Sequence, residues 1–311
     1  MTFNRIAIYG HRGWASSVIT KALIASGAPI KVLYRSSSDI SDLPSNVEKV
    51  EVDVEDQATL ISALQDIDIV ISLVGHEGVD RQQHLVTAIS KTNVKLFVPS
   101  DLAARYDEQG LRVPVNKKKD DVEKAAKAAG IPVTIVLVGN FAEFSLNTVA
   151  MGVDRASNRL LFYGNAANEK LNLCTREYVG AAYASIFASR PIDEIKGRII
   201  GLWELKATGK EIAAVLAKDK GSAPQEVHFP IEVVNEKVET CLANGVPFAL
   251  AHYCRKIWGT GQQARMVGDD IWEVPGYKKV SLEELIVGGK LQSYRVMPPI
   301  VYTTLVAAFD E

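Results

Sequence analysis

The sequence has no excess of charge of one sign and no long apolar run. Its 35 Lys and Arg residues nearly balance its 37 Asp and Glu residues, which leaves a formal net charge of −2. Because no basic block is present, we expect no nucleic-acid partner. The apolar runs are strand-sized, far shorter than the roughly 20 residues of a membrane span, so we expect no membrane partner. The N-terminus reads as a strand and not as a signal peptide, which predicts a cytoplasmic protein.

Cysteine is also scarce. The 311 residues include three cysteines, Cys174, Cys241 and Cys254, and none of them forms a C-x-x-C pair. This pattern argues against a disulfide framework and fits a reducing compartment. The histidines and cysteines show no metal-ligand spacing, so no metal is expected. The Gly-x-Ser-x-Gly pattern of many hydrolases is absent as well.

The first half of the chain alternates strand-like and helix-like segments. The strand-like segments are rich in Val and Ile without clean alternation, which is typical of strands that are buried on both faces. Strands are predicted at residues 5–9, 30–34, 47–52, 67–74, 94–98 and 133–138. Helices are predicted at residues 14–26, 58–65, 79–91 and 117–129. This order predicts an α/β protein with a Rossmann-type, doubly wound parallel sheet.

The second half is less regular. It predicts a helix over residues 178–189 and a strand over residues 198–203, among short helices and loops with Pro and Gly. We interpret residues 1–155 as the Rossmann domain, to which residues 175–203 return. Residues 156–174 and 204–311 are interpreted as a smaller, mixed domain that binds substrate and covers the carboxyl edge of the sheet.

A glycine-rich turn follows the first strand, and residues 10–16 read G-x-x-G-x-x-S. In a dinucleotide turn the first glycine permits the bend, the second lets the backbone approach the pyrophosphate, and the helix N-terminus binds the phosphates. The third position usually carries Gly or Ala, and Ser16 departs from this pattern. The predicted cofactor contacts of the turn are Gly10, His11, Arg12, Gly13 and Trp14.

The residue after the second strand indicates which dinucleotide is bound. NAD enzymes usually carry an acid there, which binds the ribose hydroxyls, whereas this chain has Arg35 and a further arginine, Arg12, in the glycine turn. A guanidinium group pairs well with phosphate oxygens, so the sequence favours NADP(H) over NAD. After the third strand, Asp53 and Val54 are candidates to bind the adenine ring. Asp53 could equally cap a helix, with Asp56 as the competing cap.

Further segments extend this pattern in a recognisable order. They are residues 52–54 (VDV), 68–72 (DIVIS), 80–83 (DRQQ), 97–101 (FVPSD), 130–134 (GIPVT) and 139–142 (GNFA). Together with the glycine turn, they resemble the NmrA-like, isoflavone reductase-like branch of the atypical short-chain dehydrogenases. The resemblance implies NADPH-dependent reduction of a small, often aromatic, molecule, or NADP(H) sensing without turnover. The family's Pro-Ser-Glu-Phe-Gly stretch reads Pro-Ser-Asp-Leu-Ala at residues 99–103, a departure that bears on the substrate more than on the cofactor.

No tyrosine is followed four residues later by lysine, so the usual Tyr-x-x-x-Lys dyad is absent. Reductases of the resembled branch use a lysine eleven residues before the Gly-Ile-Pro turn, and this resemblance points to Lys119. Helix periodicity alone admits Lys118 or Lys119 on the inward face and excludes Lys117. A lysine there could contact the nicotinamide ribose and act as a general acid. The alternative is a group of solvated lysines at the start of a helix.

Other candidates lie after the fourth, fifth and sixth strands, where open α/β sheets bind ligands. The predicted cofactor contacts of this region are Val74, Gly75, Gln82, Ser100, Asn140 and Phe141. His76 and Phe144 are candidates to contact substrate, with His76 as a second potential proton donor.

Taken together, the sequence predicts an NADPH-dependent reductase that transfers hydride to a small carbonyl, imine or enone substrate, and aromatic molecules are among the candidates. The alternative is an NADP(H)-binding redox sensor without turnover. The sequence leaves open whether the protein is a monomer or a homodimer.

Overall fold

A parallel sheet forms the centre of the first half of the chain. The structure is a computed structural model that describes residues 2–310. The strands of the sheet are β1 (Ile6–Tyr9), β2 (Ile30–Tyr34), β3 (Glu48–Glu51), β4 (Ile69–Ser72) and β5 (Leu96–Val98). Their order is β3-β2-β1-β4-β5, and all neighbours are parallel. Beyond β5, a bridge between Phe97 and Val133 leads to β6 (Ile135–Leu137). The predicted α/β fold with a parallel sheet is confirmed.

Helices cover both faces of this sheet. They are α1 (Ser16–Ala25), α2 (Gln57–Ala63), α3 (Gln82–Ile89), α4 (Glu108–Leu111) and α5 (Pro114–Ala128). Side chains of β1 alternate between two apolar clusters: Ile6 and Ile8 pack with residues of α1, and Ala7 and Tyr9 pack with residues of α2, α3 and α5. Strands β1, β4 and β5 are buried on both faces and are almost entirely apolar, whereas β3 at the edge of the sheet is charged and largely exposed.

Two helices begin three residues away from their predicted starts. The segment predicted as one helix from residue 79 is a 3₁₀ turn, His76–Arg81, followed by α3. Helix α5 begins at Pro114, three residues before the predicted start at residue 117. Proline is well suited to the first helical turn, because its missing N–H would have no partner in the helix there.

The second half adds a smaller mixed part. Its elements are β7 (Asn140–Phe141), α6 (Ala142–Asn147), β8 (Val153–Asp154), β9 (Arg159–Tyr163), β10 (Lys170–Cys174), α7 (Arg176–Phe187), α8 (Ile192–Ile195), β11 (Ile199–Gly201), β12 (Leu205–Thr208), α9 (Gly209–Lys220), β13 (Gln225–Phe229), α10 (Ile231–Ala243), α11 (Ala249–Gly259), α12 (Leu282–Ile286) and α13 (Pro299–Ala307). A second 3₁₀ turn spans Val149–Met151. Two small sheets have the orders β12-β10-β7 and β13-β9-β8.

Parts of the second half return to the first. Helix α7 contributes Tyr178 and Tyr183 to the cluster that also holds Ile6, and β11 pairs in parallel with β6. Conversely, Ala142 and Leu146 pack with apolar residues of the smaller part. The predicted division of the chain at residues 155, 174 and 203 stays a prediction. Among residues 2–310, no helix combines the length and the apolar character needed to cross a bilayer.

Candidate functional site

A groove of about 550 Å³ opens at the carboxyl ends of β1, β2 and β4. This edge is where open α/β sheets bind their ligands. The structure brings eight of the predicted site residues together in its wall: Gly10, His11, Arg12, Gly13, Arg35, Val74, Gly75 and His76. Wall residues that were not predicted include Tyr9, Tyr34, Ser37, Ser38, Glu77, Arg81 and Arg295. The predicted residues surround one site, although each predicted ligand contact stays a prediction.

The glycine turn depends on its first glycine. Gly10 has φ +94°, and a Cβ there would lie 2.9 Å from the carbonyl carbon of Leu73. Only glycine fits this combination of left-handed backbone and close approach. A Cβ on Gly13 would lie 2.5 Å from Oγ of Ser16. The Ser16 hydroxyl donates a hydrogen bond of 2.8 Å to the Leu73 carbonyl, so the residue that departs from the usual pattern ties α1 to the end of β4.

No side chain caps the N-terminus of α1, and the Ser17 N–H donates to the Gly13 carbonyl. The N-cap, Ala15, makes no side-chain hydrogen bond, and the first turn carries no acid. The first N–H groups of a helix lack partners within the helix and carry partial positive charge, so they attract anions. This end of α1 directly follows the glycine turn that lines the groove.

Four arginines line the groove: Arg12, Arg35, Arg81 and Arg295. Arg12 lies 4.0 Å from Asp39, and both side chains are exposed. Glu77 is the acid among the groove-lining residues. The excess of guanidinium groups suits a ligand that carries several phosphates.

Asp53 and Val54 lie outside the groove wall. The Asp53 side chain accepts a hydrogen bond from the Glu55 backbone, and Asp56 caps α2 by accepting from the backbone of Ala58 and Thr59. The helix cap is therefore Asp56, the competing candidate. Val54 is buried in the apolar cluster that also contains Tyr9 and Leu33 of the groove wall, and its contact with an adenine ring stays a prediction.

Gln82 and Ser100 support the groove from behind, and their predicted contact with the cofactor stays a prediction. Gln82 is fully buried, and its amide accepts a hydrogen bond from the Ser100 backbone and donates one to the Val79 carbonyl. The Ser100 hydroxyl donates to the carbonyl of Val74, a residue of the groove wall.

The three lysines at the start of α5 have different environments. Lys117 pairs with Asp121 and Lys118 pairs with Asp80, and both lysines are exposed. The Lys119 side chain is 12% exposed, and its Nζ donates a hydrogen bond of 2.6 Å to the Asp101 carbonyl. Of the two lysines that periodicity admitted, Lys119 is therefore the one that faces inward.

The buried face of α5 explains why Lys119 faces inward and Lys118 does not. Its buried residues include two polar ones, Asn116 and Glu123, beside the apolar Val122 and Ala126. Residues 116, 119, 122, 123 and 126 follow helical spacing and share one face. A stripe drawn through apolar residues alone misses Asn116, and its centre lies further from Lys119.

The ammonium group of Lys119 lies in a partly buried, charged pocket. Nζ is 3.6 Å from the carboxylate of Asp101, and burial raises the pKa of Asp101 while Lys119 opposes this effect. Leu102, next in the chain, has φ +51°, a strained conformation of the kind that clusters at functional sites. Burial raises the pKa of the Cys254 thiol to about 12, against the charge of Lys119. Cys254 brings α11 of the smaller part close to this pocket.

His76 connects this pocket with the groove. The residue is exposed, yet its pKa lies below the ordinary value, first because neighbouring groups desolvate part of the ring, and second because Lys119 and Arg295 repel an added proton. The imidazole is therefore neutral at neutral pH. A neutral ring can donate or accept a hydrogen bond, which suits a binding role better than that of a proton source.

Aromatic residues meet beside the glycine turn. The Trp14 ring packs edge-on against Phe141, with centroids 5.3 Å apart, and against Tyr294 at 4.8 Å. Tyr294 also contacts Phe144 at 5.4 Å. Phe141 therefore packs on Trp14, and Tyr294 joins Trp14 to Phe144. None of Trp14, Phe141 and Phe144 lines the groove. Asn140 is held internally by Ser145 and Gln263.

Comparisons with known proteins agree with this arrangement. Isoflavone reductase from Pisum sativum is 25% identical, over 97% of this chain and 96% of that protein. An isoflavone reductase homolog from Zea mays is 26% identical, over 80% of this chain and 85% of its own length.

Solved structures share the fold. A leucoanthocyanidin reductase from Vitis vinifera, in complex with NADPH, has a TM-score of 0.75 at 19% identity and covers 93% of this chain and all of its own. A crystal structure of isoflavone reductase has a TM-score of 0.78 at 21% identity, with the same coverage. The model of the NmrA-like family matches residues 2–273. The chain therefore belongs to the NmrA-like family.

Proposed function

We propose that the protein is an NADPH-dependent reductase that transfers hydride to a carbonyl, imine or enone group of a small aromatic substrate. The observation that carries this proposal is the proximity of two features. The first is an arginine-rich groove beside a glycine turn and an uncapped helix N-terminus, and the second is the partly buried Lys119, which lies within electrostatic reach of His76 in the groove wall. The groove suits a dinucleotide, and Lys119 can supply a proton.

The residues present fit NADPH. The N–H groups at the start of α1 and the backbone of Gly13 would hold the pyrophosphate. Arg35, with no acid beside it in the groove wall, would hold the 2′-phosphate. When bound, NADPH supplies the hydride.

The chain itself supplies orientation and a proton. The Asp101 carbonyl and carboxylate hold the Lys119 ammonium in one position. Lys119 then releases a proton from Nζ to the oxygen or nitrogen of the substrate, or to the conjugated system. The low exposure of this pair limits competition from water. The relatives of this protein support an aromatic substrate, since they are named isoflavone, phenylcoumaran benzylic ether and leucoanthocyanidin reductases.

The proposal is tested by NADPH oxidation against a panel of aromatic ketones, quinones, imines and enones. We expect turnover with at least one class, and loss of that turnover in Lys119→Ala. Binding of NADPH is measured in parallel by calorimetry. A folded protein that does not bind NADPH would contradict the proposal at its first step.

A redox sensor is the second candidate. The Lys119 ammonium is already engaged by Asp101 through two oxygens, which would suit a residue that only holds the cofactor. Tight NADPH binding without turnover across the whole panel would favour the sensor over the reductase.

A further inference from the structure

A short segment near the C-terminus contacts both halves of the molecule. Residues 292–295, here named the strap, lie in the irregular chain between α12 and α13. They follow residues 2–273, which the family model matches. Trp14 donates its indole N–H to the Ser293 carbonyl at 3.1 Å, and Asn147 donates to the Gln292 carbonyl at 2.6 Å. The strap is thereby fixed to the glycine turn of the first half and to α6.

Side chains of the strap strengthen this attachment. Tyr294 packs between Trp14 and Phe144, and Arg176 donates a hydrogen bond of 3.2 Å to the Gln292 side chain. A loop held by contacts on both sides has already lost much of its conformational entropy, so ligand binding need not order it.

Arg295 is the residue that the strap presents to the groove. It belongs to the groove wall, and its guanidinium lies 5.6 Å from the centre of the Tyr294 ring. Its charge lowers the pKa of His76, which places the two side chains within electrostatic reach of each other. Among residues 2–310, no acid forms a salt bridge with Arg295. A cation held in this way, without a carboxylate partner, is suited to an anionic ligand.

The position of Arg295 along the groove indicates which anionic group of the ligand it contacts. Arg35, Ser37 and Ser38 line the end that follows β2, where the ribose of the adenosine half would lie. Arg295 instead neighbours His76, after β4, and its strap rests on Trp14 at the end of the glycine turn. The pyrophosphate binds at such a turn.

We propose that Arg295 binds the pyrophosphate of the dinucleotide, so that the C-terminal strap forms part of the cofactor site. This inference rests on the proposed function, since it requires that a dinucleotide occupies the groove. NADPH and NADH share the pyrophosphate and differ in the 2′-phosphate. Arg295 therefore contributes to the affinity for both, whereas Arg35 contributes to the affinity for NADPH alone.

Calorimetric titration of full-length variants tests the assignment. Arg295→Ala is expected to weaken the binding of NADPH and of NADH by a similar factor, about tenfold or more, as for a lost charge-assisted hydrogen bond. Arg295→Lys keeps the charge and should lose less. Lys290→Ala is the matched control, because Lys290 is an exposed cation nearby in the chain that pairs with Glu284 outside the groove. It should leave both affinities unchanged.

Limited trypsin digestion gives a second readout that does not depend on turnover. Trypsin cleaves after arginine, and Val296, the next residue, is 94% exposed. Saturating NADPH should slow cleavage after Arg295 severalfold, while cleavage after Lys220, at the end of α9, should keep its rate.

The outcomes separate this inference from the proposed function. If the wild-type protein binds neither NADPH nor NADH, the proposed function fails, and the assignment of Arg295 fails with it. If the wild type binds both and Arg295→Ala binds them equally well, the assignment of Arg295 alone is overturned. A variant that loses affinity for NADPH but not for NADH would place Arg295 at the 2′-phosphate and would also overturn the assignment.

Discussion

At the residue scale, Arg35 is the side chain on which cofactor preference depends. It lines the groove just after β2, where the 2′-phosphate of NADPH would lie. We expect the wild type to bind NADPH more tightly than NADH. Arg35→Ala should reduce this preference by on the order of 1.5–3 kcal/mol, the contribution of a hydrogen bond to a charged group. Titration calorimetry measures both affinities, and equal affinities in the wild type would contradict the prediction.

Lys119 is the residue that separates an enzyme from a sensor. Because its ammonium is held by Asp101 in a partly buried pocket, we expect Lys119→Ala to lower kcat by roughly 100-fold or more. NADPH affinity should fall less, since phosphates and adenine are held elsewhere. Steady-state kinetics with a substrate found in the panel measures both effects.

The neighbouring lysines serve as matched controls. Lys117→Ala and Lys118→Ala each remove one exposed cation of the same helix turn, and both should keep nearly full turnover. Loss of turnover in Lys118→Ala with retention in Lys119→Ala would mean that Lys118, and not Lys119, is the proton donor.

At the scale of elements, the join between α1 and β4 shapes the groove. The Ser16 hydroxyl is buried and donates to the Leu73 carbonyl at 2.8 Å, directly beneath the glycine turn. Ser16→Ala would leave that carbonyl without this donor and should lower the free energy of unfolding by about 1–3 kcal/mol. Urea denaturation measures the change. Ser17→Ala is the control, because the Ser17 hydroxyl lies 3.4 Å from its acceptor and should contribute little. Equal stability of the two variants would contradict a stabilising role for the hydrogen bond between Ser16 and Leu73.

The elements of the first half were predicted more accurately than their packing. The alternation of apolar segments predicted β1 to β6 in order. Most of these strands are buried on both faces and therefore apolar, and β3 is the exception, with exposed Glu48 and Glu51. The orientation of α5 was predicted less well, because polar Asn116 and Glu123 belong to its buried face. Burial of polar residues depends on partners elsewhere in the chain, such as Arg105 for Glu123.

At the scale of the whole molecule, stability should depend on pH through Glu143 in α6. This residue is fully buried, and one carboxylate oxygen accepts a hydrogen bond from the Arg176 backbone at the start of α7. Burial raises the pKa of Glu143 from 4.5 to about 7. The folded protein therefore binds a proton that the unfolded chain releases between these values. Its contribution to stability is present below about pH 4.5 and is lost as the pH rises to about 7.

Glu143→Gln tests this dependence, because glutamine keeps the acceptor oxygen and does not ionise. The wild type should lose up to about 3 kcal/mol relative to the variant between pH 4.5 and pH 7.5, from 1.36 kcal/mol per pKa unit. Denaturant unfolding at a series of pH values measures the difference. Parallel pH profiles of the two proteins would contradict the prediction.

The sequence by itself determined the parallel sheet, the glycine turn and the edge of the sheet at which the groove opens. These features follow from local signals: the period of apolar residues, a glycine that must adopt positive φ, and the arginine after β2. Only the tertiary structure decided that Lys119 and not Lys118 faces inward, and that Gln82 supports Ser100 from behind. It alone placed Arg295 in the groove, through contacts such as Trp14 with Ser293, 279 residues apart. Such contacts are absent from any local pattern, because they form only when segments that are distant in the chain come together in the folded protein.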